Sequence, residues 1–246
     1  MRLICLGSSS TGNGYILEAE NEALMIECGI NMQEVKKALK WDISKIVACI
    51  VSHRHQDHAL HLPKVIKCGI KVLALPEVFN VILWGKSSRE TKPFCKEIEP
   101  LHGYKVGGFK LFTFDLHHAN NDGSECPCLG YLIEHEEMGK LLFVTDTMML
   151  KYSFPGVDHI MIEANYEDDI LSGNIESGKV EASQRSRLLA SHLELQQTAK
   201  ILQRPEFRGV QNIILLHLSA RNSDPDKFRK VITSATGVPA QVQNPT

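Results

Sequence analysis

Apolar residues occur along this chain in short runs, most of them of strand length, and several runs end in polar residues. Strand-like runs occur at 2–6, 15–19, 23–27, 46–51, 71–75, 107–116, 129–134, 140–145, 158–163 and 212–216. Helical spacing predicts a helix over 31–40 with Asn31 as its cap, a second helix from His58 to Lys67, and a long helical region over 177–203.

The order of these elements predicts the fold class. The first strands come in neighbouring pairs, and the later ones alternate with helices, which favours an α/β sandwich of two sheets covered by helices, with a site at one rim. We find no repeat and no linker, so we expect one domain over residues 1–246. From about residue 235 the chain carries Gly, Pro and Gln without pattern, which predicts a loosely ordered tail.

The most informative polar cluster directly follows the apolar run 46–51. It reads His53-Arg54-His55-Gln56-Asp57-His58. Core packing does not explain it, because unpaired buried polar groups are costly. Imidazole and carboxylate suit zinc, iron or manganese. A strand end followed by a tight turn can direct residues 53 and 55 at one point and residues 57 and 58 at a second. The motif therefore predicts a site for two metal ions.

Other apolar runs also end in polar residues that could bind a metal ion. His117-His118, Asp146 and His217 follow the runs that end at 116, 145 and 216. Polar groups at strand ends form pre-organised sites, because the sheet holds them rigidly. Two carboxylates at strand ends, Glu27 and Glu163, could orient ligand imidazoles, although Glu163 fits a helix cap equally well.

Composition limits the class of protein. The 246 residues are 43% apolar, enough for one large core, and the net charge of −2 does not indicate a general nucleic-acid binder. A local basic patch remains compatible with that charge. Seven cysteines lie mostly within or beside apolar runs, which favours unpaired thiols in a reducing compartment. Without a signal peptide or a membrane-length apolar stretch, the expected location is the cytoplasm.

In order and spacing, these residues resemble the metallo-β-lactamase superfamily over essentially the whole chain. The resemblance implies an αββα sandwich that binds two divalent metal ions, zinc first, with manganese or iron as alternatives. It assigns one metal to His53, His55 and His117, the second to Asp57, His58 and His217, and a bridging position to Asp146.

The third ligand of the first metal is open between two adjacent histidines. On a strand His117 and His118 point in opposite directions, and the apolar residues Phe112, Phe114 and Leu116 fill the face opposite His117. This alternation and the branch comparison favour His117 as the ligand.

Further motifs resemble a phosphodiester-cleaving branch that includes tRNase Z and YycJ-like exonucleases. Leu216-His217-Leu218-Ser219 resembles its closing motif, and the segment 191–199 resembles its His-containing segment. The role implied for His192 is to contact the scissile phosphate and help the leaving oxygen depart. Asp146 in place of cysteine disfavours β-lactam hydrolysis. The chain departs from the branch at Glu27, where aspartate is usual, and in a longer loop at 119–128.

Two surface features allow more than one interpretation. The loop 8–14 is rich in small residues, and its Asn13-Gly14 pair is typical of a hairpin turn, with phosphate binding as the alternative. Four cations near the expected site could form a phosphate-binding rim or a solvated face: Lys179, Arg185, Arg187 and Arg221.

The resulting prediction is a dinuclear-metal-dependent phosphodiesterase or nuclease that cleaves DNA or RNA through a metal-bridging hydroxide. Asp57 and His192 are the expected catalytic residues. The alternative is a thioesterase or lactonase of the glyoxalase II kind, which would require an acyl pocket instead of a basic rim. The expected partner is nucleic acid or another phosphodiester substrate, without a membrane.

Overall fold

The computed structural model of the protein describes residues 1–83, 91–120 and 122–243. The described chain forms two compact units. The first unit contains Met1–Phe114 and Glu134–Glu137, and the second contains Asp115–Ile133 and Met138–Gln243. The expectation of one domain over residues 1–246 stays a prediction.

A six-stranded sheet in the order β1-β2-β3-β4-β5-β6 organises the first unit. The pairs β1–β2 and β2–β3 are antiparallel, and β3 to β6 run parallel. Its strands are β1 (Arg2–Ser9), β2 (Gly12–Glu18), β3 (Ala23–Ile26), β4 (Ile46–Ile50), β5 (Val72–Ala74) and β6 (Cys95–Glu97). Its helices are α1 (Met32–Ala38), α2 (Gln56–Ala59), α3 (Leu62–Lys67) and α4 (Pro76–Ile82), with 3₁₀ turns at Ile43–Lys45 and Lys92–Phe94.

The central strands of this sheet follow from their sequence. All four residues of β3 and four of the five in β4 are buried, which is typical of parallel strands covered on both faces. Asn31 caps α1 as predicted, because its side chain accepts a hydrogen bond from the Gln33 backbone N–H at 3.1 Å.

A seven-stranded sheet has the order β13-β12-β11-β10-β9-β8-β7. The strands from β10 to β13 are parallel to one another. The strands are β7 (Gly103–Val106), β8 (Phe109–Ala119), β9 (Glu125–His135), β10 (Gly139–Val144), β11 (His159–Glu163), β12 (Asn212–Leu216) and β13 (Ala240–Val242). The second unit adds α5 (Asp168–Glu176), α6 (Ser183–Ser191), α7 (Leu195–Leu202), a 3₁₀ turn (Pro205–Phe207) and α8 (Pro225–Thr236).

The long helical region expected over 177–203 is wrong as a continuous element. Helices α6 and α7 are separated by the extended segment 192–194. The Leu193 carbonyl accepts the Asn165 N–H at 3.0 Å, and the Leu195 N–H donates to the Tyr166 carbonyl at 2.9 Å. These tertiary hydrogen bonds interrupt the helix, because their backbone groups cannot also make the helical pattern.

The chain end also differs from the expectation of a loosely ordered tail. Helix α8 runs to Thr236, and β13 pairs in parallel with β12. Asp224 caps α8 by accepting the N–H groups of Asp226 and Lys227, both at 3.0 Å. Residues 240–242 are therefore held by the sheet, and residues 244–246 lie outside the described chain.

The expected arrangement of two sheets with helices is confirmed. In the described ranges, no helix is long and apolar enough to cross a membrane. No disulfide joins the seven cysteines, all of which lie in described parts of the chain.

Candidate functional site

The H-x-H-x-D-H motif forms one cluster at the end of β4 in the first unit. His55 precedes the one-turn helix α2, which carries Asp57 and His58. The ring of His53 lies 4.7 Å from that of His55 and 4.2 Å from that of His58, between centroids. Asp57 Oδ2 lies 3.3 Å from His58 Nε2. The structure thus brings together all four residues that the motif singled out.

Glu27 supports this cluster from the end of β3. Its side chain is fully buried, and Oε1 lies 3.3 Å from Nδ1 of His58. Both carboxylate oxygens also accept the Ser52 N–H, at 3.3 and 3.2 Å. A carboxylate close to Nδ1 favours the imidazole proton at that nitrogen through its charge, which leaves Nε2 suited to a metal ion. Glu27 therefore contributes a buried negative charge beside His58.

Asn13 belongs to the same cluster, although sequence reasoning placed it in a turn. It lies in β2, opposite Ser8. Its Nδ2 atom lies 3.3 Å from Asp57 Oδ2 and 3.0 Å from His58 Nε2. The small-residue loop is thus a hairpin, as one interpretation expected, and its second strand presents an amide to the motif. The only sequence signal for this role was the run of small residues, which permits close approach.

Gly29 permits the close approach of two backbone segments at this cluster. A Cβ atom built on Gly29 would lie 1.7 Å from the Asp57 carbonyl oxygen and 2.8 Å from the Asn13 nitrogen. Both neighbours are backbone atoms, which cannot move aside as a flexible side chain can. The position therefore requires glycine.

We expect Gly29→Ala to lower the free energy of unfolding by about 3 kcal/mol, because the added methyl group overpacks a backbone contact. Urea denaturation measures the change. The matched control is Gly173→Ala in α5, where a Cβ meets nothing within 4 Å. That control is expected to stabilise the protein slightly, by less than about 1 kcal/mol, because alanine favours helix. Equal stability of Gly29→Ala and the parent would contradict the argument.

Parallel strand ends gather a second cluster in the second unit. The register pairs Val144 with Ile162, and Glu163 with Leu216. Asp146, Glu163 and His217 therefore emerge at the same edge of the sheet, where parallel strands commonly form sites. Together with His192 they offer ligand atoms that all lie within 4.8 Å of one another.

Glu163 is the centre of this second cluster. Its Oε1 atom lies 2.6 Å from His192 Nδ1 and 3.4 Å from His217 Nδ1. Its Oε2 atom accepts the backbone N–H groups of Thr147 at 3.1 Å and of Leu193 at 3.0 Å. The contact with Thr147 also fixes the turn that follows Asp146. One buried carboxylate thereby orients two imidazoles and two backbone segments.

The protonation of Glu163 follows from these contacts. Burial by itself raises the pKa of this carboxyl. The charge of His192 and the hydrogen bonds from His192 and His217 outweigh burial and lower the pKa below its ordinary value. Glu163 is therefore ionised, and at 2.6 Å it keeps a proton on Nδ1 of His192, which leaves Nε2 of that ring facing the cluster.

His217 and Asp146 adopt backbone conformations that are uncommon for residues other than glycine. Their φ angles are 55° and 30°. Asn165 donates to the His217 carbonyl at 2.8 Å, and Thr145 donates to Asp146 Oδ2 at 2.6 Å. The neighbouring side chains thus hold both residues in place at the strand ends.

Both clusters have donor atoms that suit a divalent metal ion. His217 Nε2 and Asp146 Oδ1 are 3.7 Å apart, and His58 Nε2 and Asp57 Oδ2 are 3.3 Å apart. Two ligands each about 2.1 Å from a tetrahedral ion lie about 3.4 Å apart. The spacing and the mixed nitrogen and oxygen donors are compatible with zinc, manganese or iron.

The structure favours His118 over His117 as the histidine of the β8 end, against the preference drawn from the sequence. Along β8, Leu116 and His118 are buried, whereas His117 is only half-buried. Nδ1 of His118 lies 3.0 Å from the Ser191 carbonyl, and its ring lies 5.4 Å from that of His192. His117 belongs to no cluster of three or more potential ligands among the described residues. His118 therefore lies on the buried face of this strand, the same face as Leu116.

The proposed basic rim is not supported as a set. Arg185 makes a bidentate ion pair with Asp168 at 2.6 and 2.7 Å and donates to Ser172 at 2.8 Å. Its guanidinium group is therefore occupied by the protein itself. The other three cations are Lys179, Arg187 and Arg221. Among them, Arg187 lies on α6, the helix that ends at Ser191.

Comparison with known proteins agrees with this fold. A family model described as a β-lactamase superfamily domain matches residues 23–218. Exodeoxyribonuclease WalJ of Streptococcus pneumoniae is 24% identical over 231 residues, which cover 89% of this chain and 81% of WalJ.

Solved structures show the same fold at lower identity. The metallo-β-lactamase fold protein YhfI of Bacillus subtilis superimposes with a TM-score of 0.72 and 16% identity, covering 98% of this chain and 95% of YhfI. The short form of human tRNase Z gives a TM-score of 0.64 and 14% identity, with coverages of 99% and 96%. The expected fold class, two sheets flanked by helices, is confirmed, and the chain belongs to the metallo-β-lactamase superfamily.

Proposed function

We propose that this protein is a divalent-metal-dependent phosphodiesterase that cleaves nucleic acid. The observation that carries the proposal is the pair formed by Glu163 and His192, 2.6 Å apart, next to the potential ligands Asp146 and His217. Such a pair can protonate a leaving oxygen. Relatives named as an exodeoxyribonuclease and as a tRNase Z support DNA or RNA as the substrate.

The proposed metal ligands come from the two clusters and from the end of β8. They are His53, His55, Asp57, His58, His118, Asp146 and His217, with His118 in place of His117. The family resemblance implies two divalent ions, with His117 at the position for which His118 is proposed. When bound, two divalent ions make an attacking water more acidic and neutralise the charge that builds on the phosphate oxygens.

The side chains supply the remaining steps. Asp57 is placed to orient the attacking water and accept its proton, because its carboxylate is only partly buried at the motif. His192 gives its Nε2 proton to the leaving oxygen, while the Glu163 carboxylate balances the positive charge of the doubly protonated ring. Glu163 and Glu27 act as positioning residues for His217 and His58.

A substrate panel tests the proposal. Metal-free protein is supplied with Zn²⁺ or Mn²⁺ and assayed on bis(p-nitrophenyl) phosphate, on end-labelled DNA and RNA oligonucleotides, and on an S-acyl thioester. Metal-dependent cleavage of the phosphodiesters is expected. Thioester hydrolysis with intact phosphodiesters would reject the proposal in favour of an acyl hydrolase of the glyoxalase II kind.

The panel also tests the role of His192. We expect His192→Ala to slow oligonucleotide cleavage by about 10²-fold or more, because an alkoxide leaving group requires a proton. With bis(p-nitrophenyl) phosphate, whose phenolate leaves without protonation, the expected loss is below about tenfold. His159→Ala is the matched control, since its Nε2 contacts the Met138 carbonyl away from the cluster. Equal losses on both substrates would contradict proton donation by His192.

A further inference from the structure

A polar groove in the second unit begins beside the candidate catalytic histidine. It encloses about 540 Å³ between α6 and the described residues 119, 120, 122 and 123. Ser191, which lines it, immediately precedes His192, and the Ser191 carbonyl lies 3.0 Å from Nδ1 of His118. The groove is therefore lined by the residue next in sequence to the one proposed to protonate the leaving oxygen.

Ser191 provides the observation that points to a ligand. The residue is 2% exposed, and its hydroxyl makes no hydrogen bond within the described part of the chain. A buried hydroxyl without a partner costs free energy unless a ligand or water completes it. A substrate group in the groove with a donor or acceptor would supply that partner.

The charged side chains that line the groove indicate which chemical group of a substrate can bind there. Among the described lining residues, Asp122 and Glu181 are the carboxylates and Arg187 is the cation. The net negative charge disfavours further phosphates. Among the described lining residues there is no aromatic side chain for stacking, so recognition rests on hydrogen bonds from groups such as the Gln184 amide. The volume is in the range of pockets that bind small organic ligands.

We propose that this groove binds the nucleoside that departs with the leaving oxygen, by hydrogen bonds to its base and sugar. The proposal rests on the proposed function, because it takes His192 as the donor to that oxygen. It also specifies how the substrate is oriented. The leaving nucleoside lies along α6, and the phosphates on that side of the scissile bond lie outside the groove.

Three substrates and two tryptophan variants test the groove. Thymidylyl-thymidine has a nucleoside as its leaving group, thymidine 5′-(p-nitrophenyl phosphate) has a nucleoside only on the other side, and bis(p-nitrophenyl) phosphate has none. Ala190→Trp fills the groove from an exposed position of α6. Leu189→Trp adds the same bulk at the neighbouring exposed position, which does not line the groove.

We expect Ala190→Trp to lower kcat/KM for thymidylyl-thymidine about tenfold more than for either p-nitrophenyl substrate, since it removes contacts to the leaving nucleoside alone. Leu189→Trp is expected to leave the three values within about twofold of the parent. Ser191→Ala should raise KM for thymidylyl-thymidine about threefold to tenfold with little change in kcat, because it removes one hydrogen bond.

A binding measurement without metal or catalysis complements the kinetics. Saturation-transfer NMR with thymidine and adenosine should detect binding to the metal-free parent and to Leu189→Trp, and not to Ala190→Trp. If Ala190→Trp lowers kcat/KM equally for all three substrates, or for none, the groove does not bind the leaving nucleoside. Phosphodiester cleavage by the parent would still uphold the proposed function in that case. A parent that cleaves none of the three substrates would overturn the proposed function and the groove with it.

Discussion

Asp57→Ala is expected to reduce phosphodiester cleavage by about 10³-fold or more, at saturating Zn²⁺ or Mn²⁺. Asp57 is both a proposed metal ligand and the proposed acceptor for the proton of the attacking water. Its Oδ2 atom lies 3.3 Å from Nε2 of His58 and 3.3 Å from Nδ2 of Asn13. Removal of the carboxylate therefore takes away one ligand, one base and the partner of two neighbours at once.

Measuring the metal content of the Asp57→Ala protein distinguishes the role of Asp57 as a metal ligand from its role as a proton acceptor. We expect the Asp57→Ala protein to retain less metal after gel filtration, as measured by plasma mass spectrometry, and its activity to remain low when metal is restored. Asp42→Ala is the matched control, because Asp42 is an exposed carboxylate of the same unit that contacts Ser44. The control should match the parent in both measurements. Full activity of Asp57→Ala would remove this residue from the mechanism.

Glu163→Gln is expected to lower kcat by about 10²-fold and metal affinity by about tenfold to hundredfold, although Glu163 is not itself a proposed ligand. Its Oε1 atom faces Nδ1 of His192 and of His217, and its Oε2 atom accepts the backbone N–H groups of Thr147 and Leu193. In glutamine an NH2 group replaces one of the two oxygens. This NH2 group must then face an N–H group that the carboxylate oxygen had accepted. The charge that balances the His192 ring is also lost.

The same substitution should lower the free energy of unfolding by roughly 2 kcal/mol, because it leaves buried donors without an acceptor. The matched control is Glu167→Gln. Glu167 is also a buried glutamate of the second unit, but it pairs with Lys227 at 2.6 Å. The control should leave kcat within about threefold of the parent. A Glu163→Gln enzyme with unchanged kcat and metal content would show that the carboxylate does not position the histidines.

The first cluster could be predicted from the sequence because it is local. His53, His55, Asp57 and His58 lie within six residues, at the end of an apolar run that could only be a buried strand. A strand end followed by one helical turn leaves few directions for these side chains. The same reasoning located the strand ends at Asp146 and His217, because an apolar run indicates where its strand ends.

Residues that join the clusters through distant contacts could not be derived in this way. Asn13 reads as a turn residue because Asn-Gly favours hairpin turns, whereas the β1–β2 register places it in a strand. Choosing His118 over His117 depended on which face of β8 is buried, and alternation alone does not specify that face.

The sequence by itself determined the strand ends, the two-sheet fold and the types of potential ligands, because hydrophobic periodicity and motif spacing act over a few residues. Only the tertiary structure decided how Glu163 meets His192, 29 positions later in the chain. That contact depends on the parallel register of β11 with β12 and on the bridge between Tyr166 and Glu194, which interrupts the helical region beside His192. Long-range register of this kind is set by the packing of whole elements, and no local pattern encodes it.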